Sequence, residues 1–403
     1  MRKILFIIPF FLWTCGGGSS PTSSNDNDGD DGDDGNSGIG PITIGIAISL
    51  PQGYEVKEAY DGGYIIAAGS FGTSNENMYL IKTDASGNEE WSKSFGEEGT
   101  QQYGKSVQPT SDGGYIIAGN TEAGGYHEDW DFYVVKTDAS GNQEWSKSFG
   151  KDLPDADERV KSIRTTYDGG YIILGNTGCW CNGYSDFDMY IVKINASGNE
   201  QWNRIYEDVG FLEESIEATS DGGYIISGYQ NGRMTLFKID ASGNEEWTQS
   251  YEGRGRGNDV QITSDGGYIM TGSTDDDVDS NKWDGYLVKT DASGNEEWSK
   301  SFRKSAGLSD WFNSVKETSD GGYITVGYTT TPGPYYDMYV VKTDASGNEM
   351  WSRTFGGSRD DGAYSVDTTS DGGFIIMGET TSYTLTGRKI YLVKIDSEGN
   401  QIF

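Results

Sequence analysis

Oxygen-bearing side chains alternate along one segment of the chain. Asp275, Asp277, Asp279 and Asn281 occupy every second position, a spacing that could place their oxygens around Ca²⁺. The segment lacks the glycine at the sixth position and the acid at the twelfth position of an EF-hand loop. Calcium is therefore the only cofactor that the sequence suggests, and a solvated acidic loop is the alternative.

A second candidate set consists of aromatic residues that interrupt an otherwise regular repeat. Flat rings stack on the apolar faces of sugars and pack against protein partners, while polar neighbours fix the orientation. We expect these residues to bind a glycan or a protein, with simple coverage of the strands beneath them as the alternative. They are Tyr126, Trp130, Trp180, Tyr184, Trp283, Trp311, Tyr335 and Tyr336.

Few residues could support catalysis. The single histidine, His127, excludes most general-base arrangements, and the sequence contains no nucleophile elbow, phosphate-binding loop or Cys-His pairing. Two carboxylates from different repeats could still meet in space and hydrolyse or eliminate at a sugar. The sequence names no catalytic residue and favours a binding protein over an enzyme.

The first of three cysteines follows an export signal. Arg2 and Lys3 precede an apolar run, Ile4 to Leu12, that is short for a bilayer span. The next residues complete the segment LWTC, which resembles the lipobox of bacterial lipoproteins. This resemblance implies a signal peptide over residues 1–14 and lipidation of Cys15.

Residues 15–40 are rich in Gly, Ser and Asp and contain little that could be buried. Dense like charge keeps such a segment extended, so we expect a flexible tether between the lipid and a folded domain. The protein is thus predicted to be exported and anchored through its lipid in the bacterial cell envelope, at the outer membrane. Its folded domain could face the periplasm or the cell surface. The other two cysteines, Cys179 and Cys181, either form a disulfide or remain loop thiols.

The chain of 403 residues has a formal net charge of -33. Binding to nucleic acid or to anionic lipid headgroups requires a concentrated basic surface, so the charge disfavours both. Contact with the membrane is expected only through the lipid. Cationic proteins and neutral glycans remain suitable partners for what we expect to be a monomer.

One unit of roughly fifty residues recurs seven times along the chain. Each copy has an Asp-Gly-Gly followed by Tyr or Phe and an apolar run, then a segment such as YLIKTDASGNEEW. These signatures predict four strands per unit, which we name A to D, with Asp-Gly-Gly turning A into B and Asp-Ala-Ser-Gly-Asn turning C into D. The Asp-Gly-Gly motifs begin at Asp61, Asp112, Asp168, Asp221, Asp265, Asp320 and Asp371.

Seven four-stranded units predict an all-β, seven-bladed β-propeller over residues 41–403. The last unit stops at Phe403, where strand D should begin, while residues 42–50 form a strand without a unit of its own. We therefore expect residues 42–50 to complete the seventh blade. Tandem Asp-Gly-Gly-Tyr and Gly-Asn-x-x-Trp motifs of this kind resemble the secreted seven-bladed propellers of bacterial lipoproteins and surface proteins. That resemblance implies an architecture and no particular activity.

Nearly all variation between the units falls in the B–C and D–A connections, which should share one face of the disc. The leading hypothesis is therefore a binding module that recognises a glycan or protein through this face. A glycan-processing hydrolase or lyase with paired carboxylates near the axis is one alternative, and a scaffold of an envelope complex is another. A lysine repeated at the end of each strand C lies beside the acidic C–D turn, and we expect local charge pairing there on a solvated strand end.

Overall fold

The computed structural model describes residues 42–44, 51–70, 77–96, 100–122, 130–150, 157–179, 186–207, 211–275, 282–383 and 387–403. All of them belong to one compact unit, Gly38–Phe403. They form seven four-stranded antiparallel sheets, which confirms the predicted seven-bladed propeller. In these ranges no segment is helical, so none offers a helix long and apolar enough to cross a membrane.

Each blade runs from an inner strand A to an outer strand D. In chain order the strands are β1 (Ile42–Ile44); β2 (Pro51–Glu58), β3 (Tyr64–Ser70), β4 (Met78–Thr83) and β5 (Glu89–Phe95) in blade 1; β6 (Gln102–Pro109), β7 (Tyr115–Glu122), β8 (Trp130–Thr137) and β9 (Gln143–Phe149) in blade 2; β10 (Arg159–Thr165), β11 (Tyr171–Cys179), β12 (Asp186–Ile194) and β13 (Glu200–Tyr206) in blade 3; β14 (Phe211–Ala218), β15 (Tyr224–Gln230), β16 (Arg233–Ile239) and β17 (Glu245–Ser250) in blade 4; β18 (Gly255–Ile262), β19 (Tyr268–Thr274), β20 (Asp284–Thr290) and β21 (Glu296–Phe302) in blade 5; β22 (Asp310–Glu317), β23 (Tyr323–Thr330), β24 (Tyr336–Thr343) and β25 (Glu349–Phe355) in blade 6; and β26 (Asp361–Thr368), β27 (Phe374–Thr380) and β28 (Lys389–Ile395) in blade 7.

The N-terminal strand closes the ring. Strand β1 pairs with β28 as the fourth strand of blade 7, with Ile42 opposite Leu392 and Ile44 opposite Ile390. The predicted closure is therefore confirmed for residues 42–44, while residues 45–50 lie outside the described residues. Phe403 then takes the place that tryptophan occupies in the other units, and its ring lies 6.4 Å from that of Tyr64 in blade 1.

The apolar core lies between the blades. In one cluster, Leu80 of blade 1 packs with Ile117 and Val135 of blade 2, and all three side chains are fully buried. Equivalent clusters fill the other interfaces, including the one between blades 7 and 1. The near-continuous apolar runs of strands B and C are explained by this arrangement, since both faces of each sheet are covered by a neighbour.

The repeated turns have the chemistry that their sequence predicts. In the A–B turn of blade 2, Gly113 has a φ of 85° and Asp112 accepts a hydrogen bond from the amide of Gly114. In the C–D turn, Gly141 has a φ of 76°, and a Cβ there would also lie 2.6 Å from the ring of Trp91 in the preceding blade. Only glycine satisfies both conditions.

The repeated lysines tie these turns to the sheet. Lys136 Nζ lies 2.8 Å from Asp112 Oδ2 in the A–B turn and 2.9 Å from Glu144 Oε2 on strand D. Charge pairing is present in every unit, but the aspartate partner belongs to the A–B turn and not to the C–D turn that the sequence suggested. The lysines are also buried instead of solvated, because each ammonium group lies beneath its A–B turn. We call them the clamp lysines: Lys82, Lys136, Lys193, Lys238, Lys289, Lys342 and Lys394.

Candidate functional site

The two faces of the disc differ in their connections. Because each blade is an antiparallel meander, the A–B and C–D turns lie on one face and the B–C and D–A connections lie on the other. We call the second the variable face. Strand A starts at the variable face and runs along the central channel to its A–B turn, so its residues line the channel in successive rings.

A β-bulge interrupts strand A in every blade. In β6 the pairing with β7 skips from Gly104 to Ser106, and the other six inner strands skip one residue at the matching position. A bulge redirects the side chain of the extra residue, and all seven of these side chains line one cavity of about 360 Å³. We call them the bulge ring: Tyr54, Lys105, Lys161, Glu214, Asn258, Asn313 and Tyr364.

The residues after the bulges form a belt, and all of them except Ser162 make hydrogen bonds between blades. The buried hydroxyl group of Ser162 has no hydrogen-bond partner among the described residues. Ser365 Oγ of blade 7 accepts from the amide of Val56 in blade 1, and Ser106 Oγ of blade 2 accepts from the amide of Ile163 in blade 3. A bulge leaves a ladder amide without its usual partner, so the belt satisfies groups that would otherwise be buried and unpaired. The belt residues are Glu55, Ser106, Ser162, Ser215, Asp259, Ser314 and Ser365.

Both carboxylates of the belt are engaged in holding blades together. Asp259 Oδ1 accepts from Ser215 Oγ at 2.8 Å, and its Oδ2 accepts from the amide of Val315 at 3.1 Å. Glu55 lies 3.0 Å from Lys57 Nζ and 3.3 Å from a guanidinium nitrogen of Arg164.

Burial opposes the ionisation of Glu55, but Lys57 and Arg164 outweigh it and lower the pKa of Glu55 to about 2. A general acid for sugar chemistry requires a raised pKa. Glu55 therefore lacks the raised pKa that a general acid of the glycan-processing alternative needs.

A third ring lies nearer to the A–B turns and is dominated by charge. Arg164 Nε donates to Glu217 Oε1 at 2.6 Å, and Lys316 Nζ donates to Gln261 Oε1 at 2.8 Å. This ring lines a second cavity, of about 620 Å³, which opens beside the A–B turns. Its members are Lys57, Gln108, Arg164, Glu217, Gln261, Lys316 and Asp367.

The cavity at the bulge ring carries more positive than negative groups, although the chain is strongly acidic. Its lining contains five lysine or arginine residues and three carboxylates. Lys105 Nζ lies 4.1 Å from the centre of the Tyr54 ring, and burial together with the nearby Lys161 lowers the pKa of Lys105 to about 8. The cavity is thus suited to a ligand that carries negative charge.

Three aromatic side chains of blade 6 form a platform on the variable face. The ring of Trp311 stacks on that of Tyr328 at 4.9 Å, and Tyr328 contacts Tyr336 at 5.2 Å. All three are partly exposed, and Tyr335 beside them is 39% exposed. We call Trp311, Tyr328 and Tyr336 the blade-6 platform, and it includes two residues that the sequence analysis selected.

The platform is connected to the channel through one buried carboxylate. Tyr336 Oη donates to Glu379 Oε1 at 3.2 Å, and Glu379 also interacts with Tyr364 of the bulge ring. Arg388 forms an ion pair with the same carboxylate. A chain of contacts through Tyr336, the buried Glu379 and Tyr364 therefore connects the platform to the cavity across blades 6 and 7.

Two aspartates lie together between these blades. Asp337 follows Tyr336, and a Cβ on Gly356 would lie within 3 Å of oxygens of both Asp337 and Asp361. Burial and the charge of Asp361 raise the pKa of Asp337 to about 6. This carboxyl group is therefore partly protonated at neutral pH.

The other predicted site residues are dispersed. Trp130 is 6% exposed, with its ring 5.0 Å from that of Tyr103, so its ring is mostly used in packing. Trp283 is partly exposed at the start of blade 5's strand C, and Asp275 lies 3.8 Å from Arg254. Cys179 ends β11. Tyr126, Trp180, Tyr184, Asp277, Asp279, Asn281, Cys15 and Cys181 lie outside the described residues.

The three rings of side chains in the channel were not predicted from the sequence, although a sequence pattern marks two of them, the bulge ring and the belt. Each bulge residue stands seven positions before the aspartate of an Asp-Gly-Gly motif, and the belt residue follows it. Both positions hold a polar or tyrosine residue in every unit, while the next position is always Val or Ile. Two adjacent non-aliphatic residues inside an inner strand are typical of a bulge.

Comparisons with known proteins support the fold and go no further. No protein-family model matches the sequence, and neither does any curated protein. Virginiamycin B lyase from Staphylococcus aureus is similar in structure, with a TM-score of 0.54 and 11% identity over 88% of this chain and 98% of that chain. Puromycin hydrolase is also similar, with a TM-score of 0.56 and 12% identity over 87% of this chain and 53% of that chain. A third similar structure is Sqt1 from Chaetomium thermophilum, which was solved bound to the N-terminus of ribosomal protein L10. Its TM-score is 0.52, with 11% identity over 90% of each chain.

Proposed function

We propose that this protein is a non-enzymatic binding module of the bacterial cell envelope, anchored through Cys15, and that it holds a protein partner against its variable face. The observation that carries the proposal is the contact chain from the blade-6 platform through Glu379 to Tyr364 at the cavity of the bulge ring. Stacked aromatic rings beside a charged recess provide both apolar area and orientation, which are the two requirements of a protein-binding hot spot.

A binding role is favoured over catalysis by the state of the carboxylates near the axis. Glu55 and Asp259 each accept several hydrogen bonds from neighbouring blades, and a substrate would have to displace those bonds. Such displacement would leave buried amides unpaired, at a cost of about 1–3 kcal/mol each. These carboxylates serve the fold, and the bulge ring remains for recognition.

A protein partner is favoured over a glycan by the form of the platform. Trp311 already uses one ring face on Tyr328, and the rings of Tyr328 and Tyr336 are tilted by 48°. The platform is therefore uneven, which suits side chains of a partner better than the flat face of a sugar ring. Propellers of similar structure include Sqt1, which was solved with a bound protein segment.

Site-specific photocrosslinking in native envelopes tests this proposal. A benzophenone amino acid replaces Tyr335, which adjoins the platform, and in a control it replaces Tyr167, which is 73% exposed in an A–B turn on the opposite face. We expect a protein adduct from position 335 that disappears with Trp311→Ala, and none from position 167. Equal adducts at both positions, or adducts that Trp311→Ala leaves unchanged, would contradict the proposal.

A glycan array probed with the same chain separates the two ligand classes. Under the proposal no glycan binds. Glycan binding that requires Trp311 would replace the protein partner with a sugar ligand.

A further inference from the structure

The cations that line the central cavity differ in their surroundings. Lys316 of the third ring donates a hydrogen bond to Gln261 Oε1 at 2.8 Å, and the other four are distinguished by their ion pairs. Lys161 lies 3.1 Å from Glu214, Lys57 lies 3.0 Å from Glu55, and Arg164 contacts both Glu55 and Glu217. Lys105 has no carboxylate within ion-pair distance among the residues that the structure describes. Its ammonium group makes a cation–π contact with the ring of Tyr54, which attracts the positive charge but does not neutralise it.

The position of Lys105 makes this ammonium group available to a ligand. Lys105 is a bulge residue, so its side chain is directed to the cavity at the bulge ring and is partly exposed there. The Tyr54 ring covers one side of the ammonium group, and its remaining N–H bonds can reach a molecule in the cavity. Because strand A starts at the variable face, the bulge ring lies nearer to that face than the third ring does.

We propose that the bulge ring at Lys105 is a binding site for one carboxylate group, either of a free carboxylic acid or of an acidic residue on a polypeptide. The bulge ring itself lacks one negative charge, since its charged residues are Lys105, Lys161 and Glu214, and Lys161 is already paired with Glu214. A dianion such as phosphate would bring a second negative charge beside Glu214 without a cation to match it. The inference concerns the cavity and does not depend on the partner proposed for the blade-6 platform.

Electrostatics of the unliganded cavity agree with this assignment. Desolvation and the charge of Lys161 lower the pKa of Lys105 to about 8, while Glu214 opposes the shift only in part. A bound carboxylate would raise that pKa again, so binding near pH 8 takes up a proton and weakens as pH rises. The other ionisable groups that line the cavity are Tyr54, Glu55 and Lys57 on β2, Lys161 and Arg164 on β10, Glu214 on β14, Asp259 on β18, Lys316 on β22 and Tyr364 on β26.

Amine labelling followed by mass spectrometry tests the site on the full chain. The probes are propionate, a short peptide containing one glutamate, the same peptide with glutamine, and inorganic phosphate. We expect propionate and the glutamate peptide to slow labelling of Lys105 at least threefold, and to leave exposed Lys300 unchanged as an internal control. Protection by the peptide alone would assign the carboxylate to a polypeptide ligand.

Calorimetry with two variants completes the test. Lys105→Met should reduce the affinity for the protecting ligand at least tenfold, while Lys105→Arg, which keeps the charge, should retain most of it. Trp311→Ala should leave propionate binding unchanged, so that failure of the platform and failure of this site can be told apart. Equal protection by the glutamine peptide, stronger protection by phosphate, or unchanged affinity of Lys105→Met would overturn the proposal.

Discussion

The face of the A–B turns and the variable face use the same residue types in opposite ways. Beneath the A–B turns, Lys136 is buried between two carboxylates, and Asp112 has a pKa of about 2 because hydrogen bonds from Lys136, Thr110 and Gly114 outweigh its burial. Lys105 in the channel has a lowered pKa, and Asp337 near the variable face has a raised one. Charges are compensated where the fold is maintained and left uncompensated where recognition is expected.

The hydrogen-bond belt offers the strongest test of this contrast. Asp259→Ala removes acceptors used by Ser215, Ser314 and the amides of two strands, so we expect a loss of about 3 kcal/mol in the free energy of unfolding. Urea unfolding monitored by tryptophan fluorescence measures it. Glu214→Gln, in the bulge ring, is the matched control and should cost less than about 0.5 kcal/mol. Similar losses for both would show that the bulge ring also maintains the fold.

Two lysine substitutions compare the regions directly. Lys136→Met leaves Asp112 and Glu144 without their cation, and because both carboxylates are half exposed we expect a loss of about 2 kcal/mol. Lys105→Met removes an uncompensated charge and should leave stability unchanged or raise it. Chemical denaturation of both variants at pH 7 provides the comparison. If Lys105→Met destabilises as much as Lys136→Met, Lys105 is another structural lysine.

The smallest expected effect depends on pH. The pKa of Asp337 is raised to about 6 in the folded protein from 3.8, so its contribution to stability is present below pH 4 and is lost as pH rises through 6. Asp337→Asn should therefore stabilise the protein at pH 8 by about 1–2 kcal/mol, since partial exposure screens the repulsion, and should have little effect at pH 4. Melting temperatures across this range measure the difference.

The aspartates that pair with the clamp lysines should show the opposite dependence of stability on pH. The folded-state pKa of Asp112 is lowered, so its contribution is present above pH 4 and is lost as pH falls towards 2. Asp112→Asn should consequently destabilise at pH 7 and have little effect at pH 2. A variant of Asp337 that followed the same profile would contradict the distinction between the two faces.

Much of the fold was predictable because its signals are local and repeated. Asp-Gly-Gly and Asp-Ala-Ser-Gly-Asn determine two turns through positive φ angles and side-chain caps, and seven copies determine seven blades. Even the closing strand follows from a unit that ends at Phe403 and an unassigned apolar segment near residue 42. The candidate site was predicted in part, since Trp311 and Tyr336 do form a platform, whereas Trp130 is largely buried.

The sequence by itself determined the number of blades, the turns, the closing strand and the face on which the units vary, because each depends on neighbours along the chain. Only the tertiary structure decided which side chains meet at the axis. Lys105, Lys161 and Glu214 follow one another in the sequence at intervals of about fifty residues. They come together because three bulged strands line one cavity. Whether one of these charges is compensated by another depends on the distances between blades, and the sequence of a single repeat does not contain those distances.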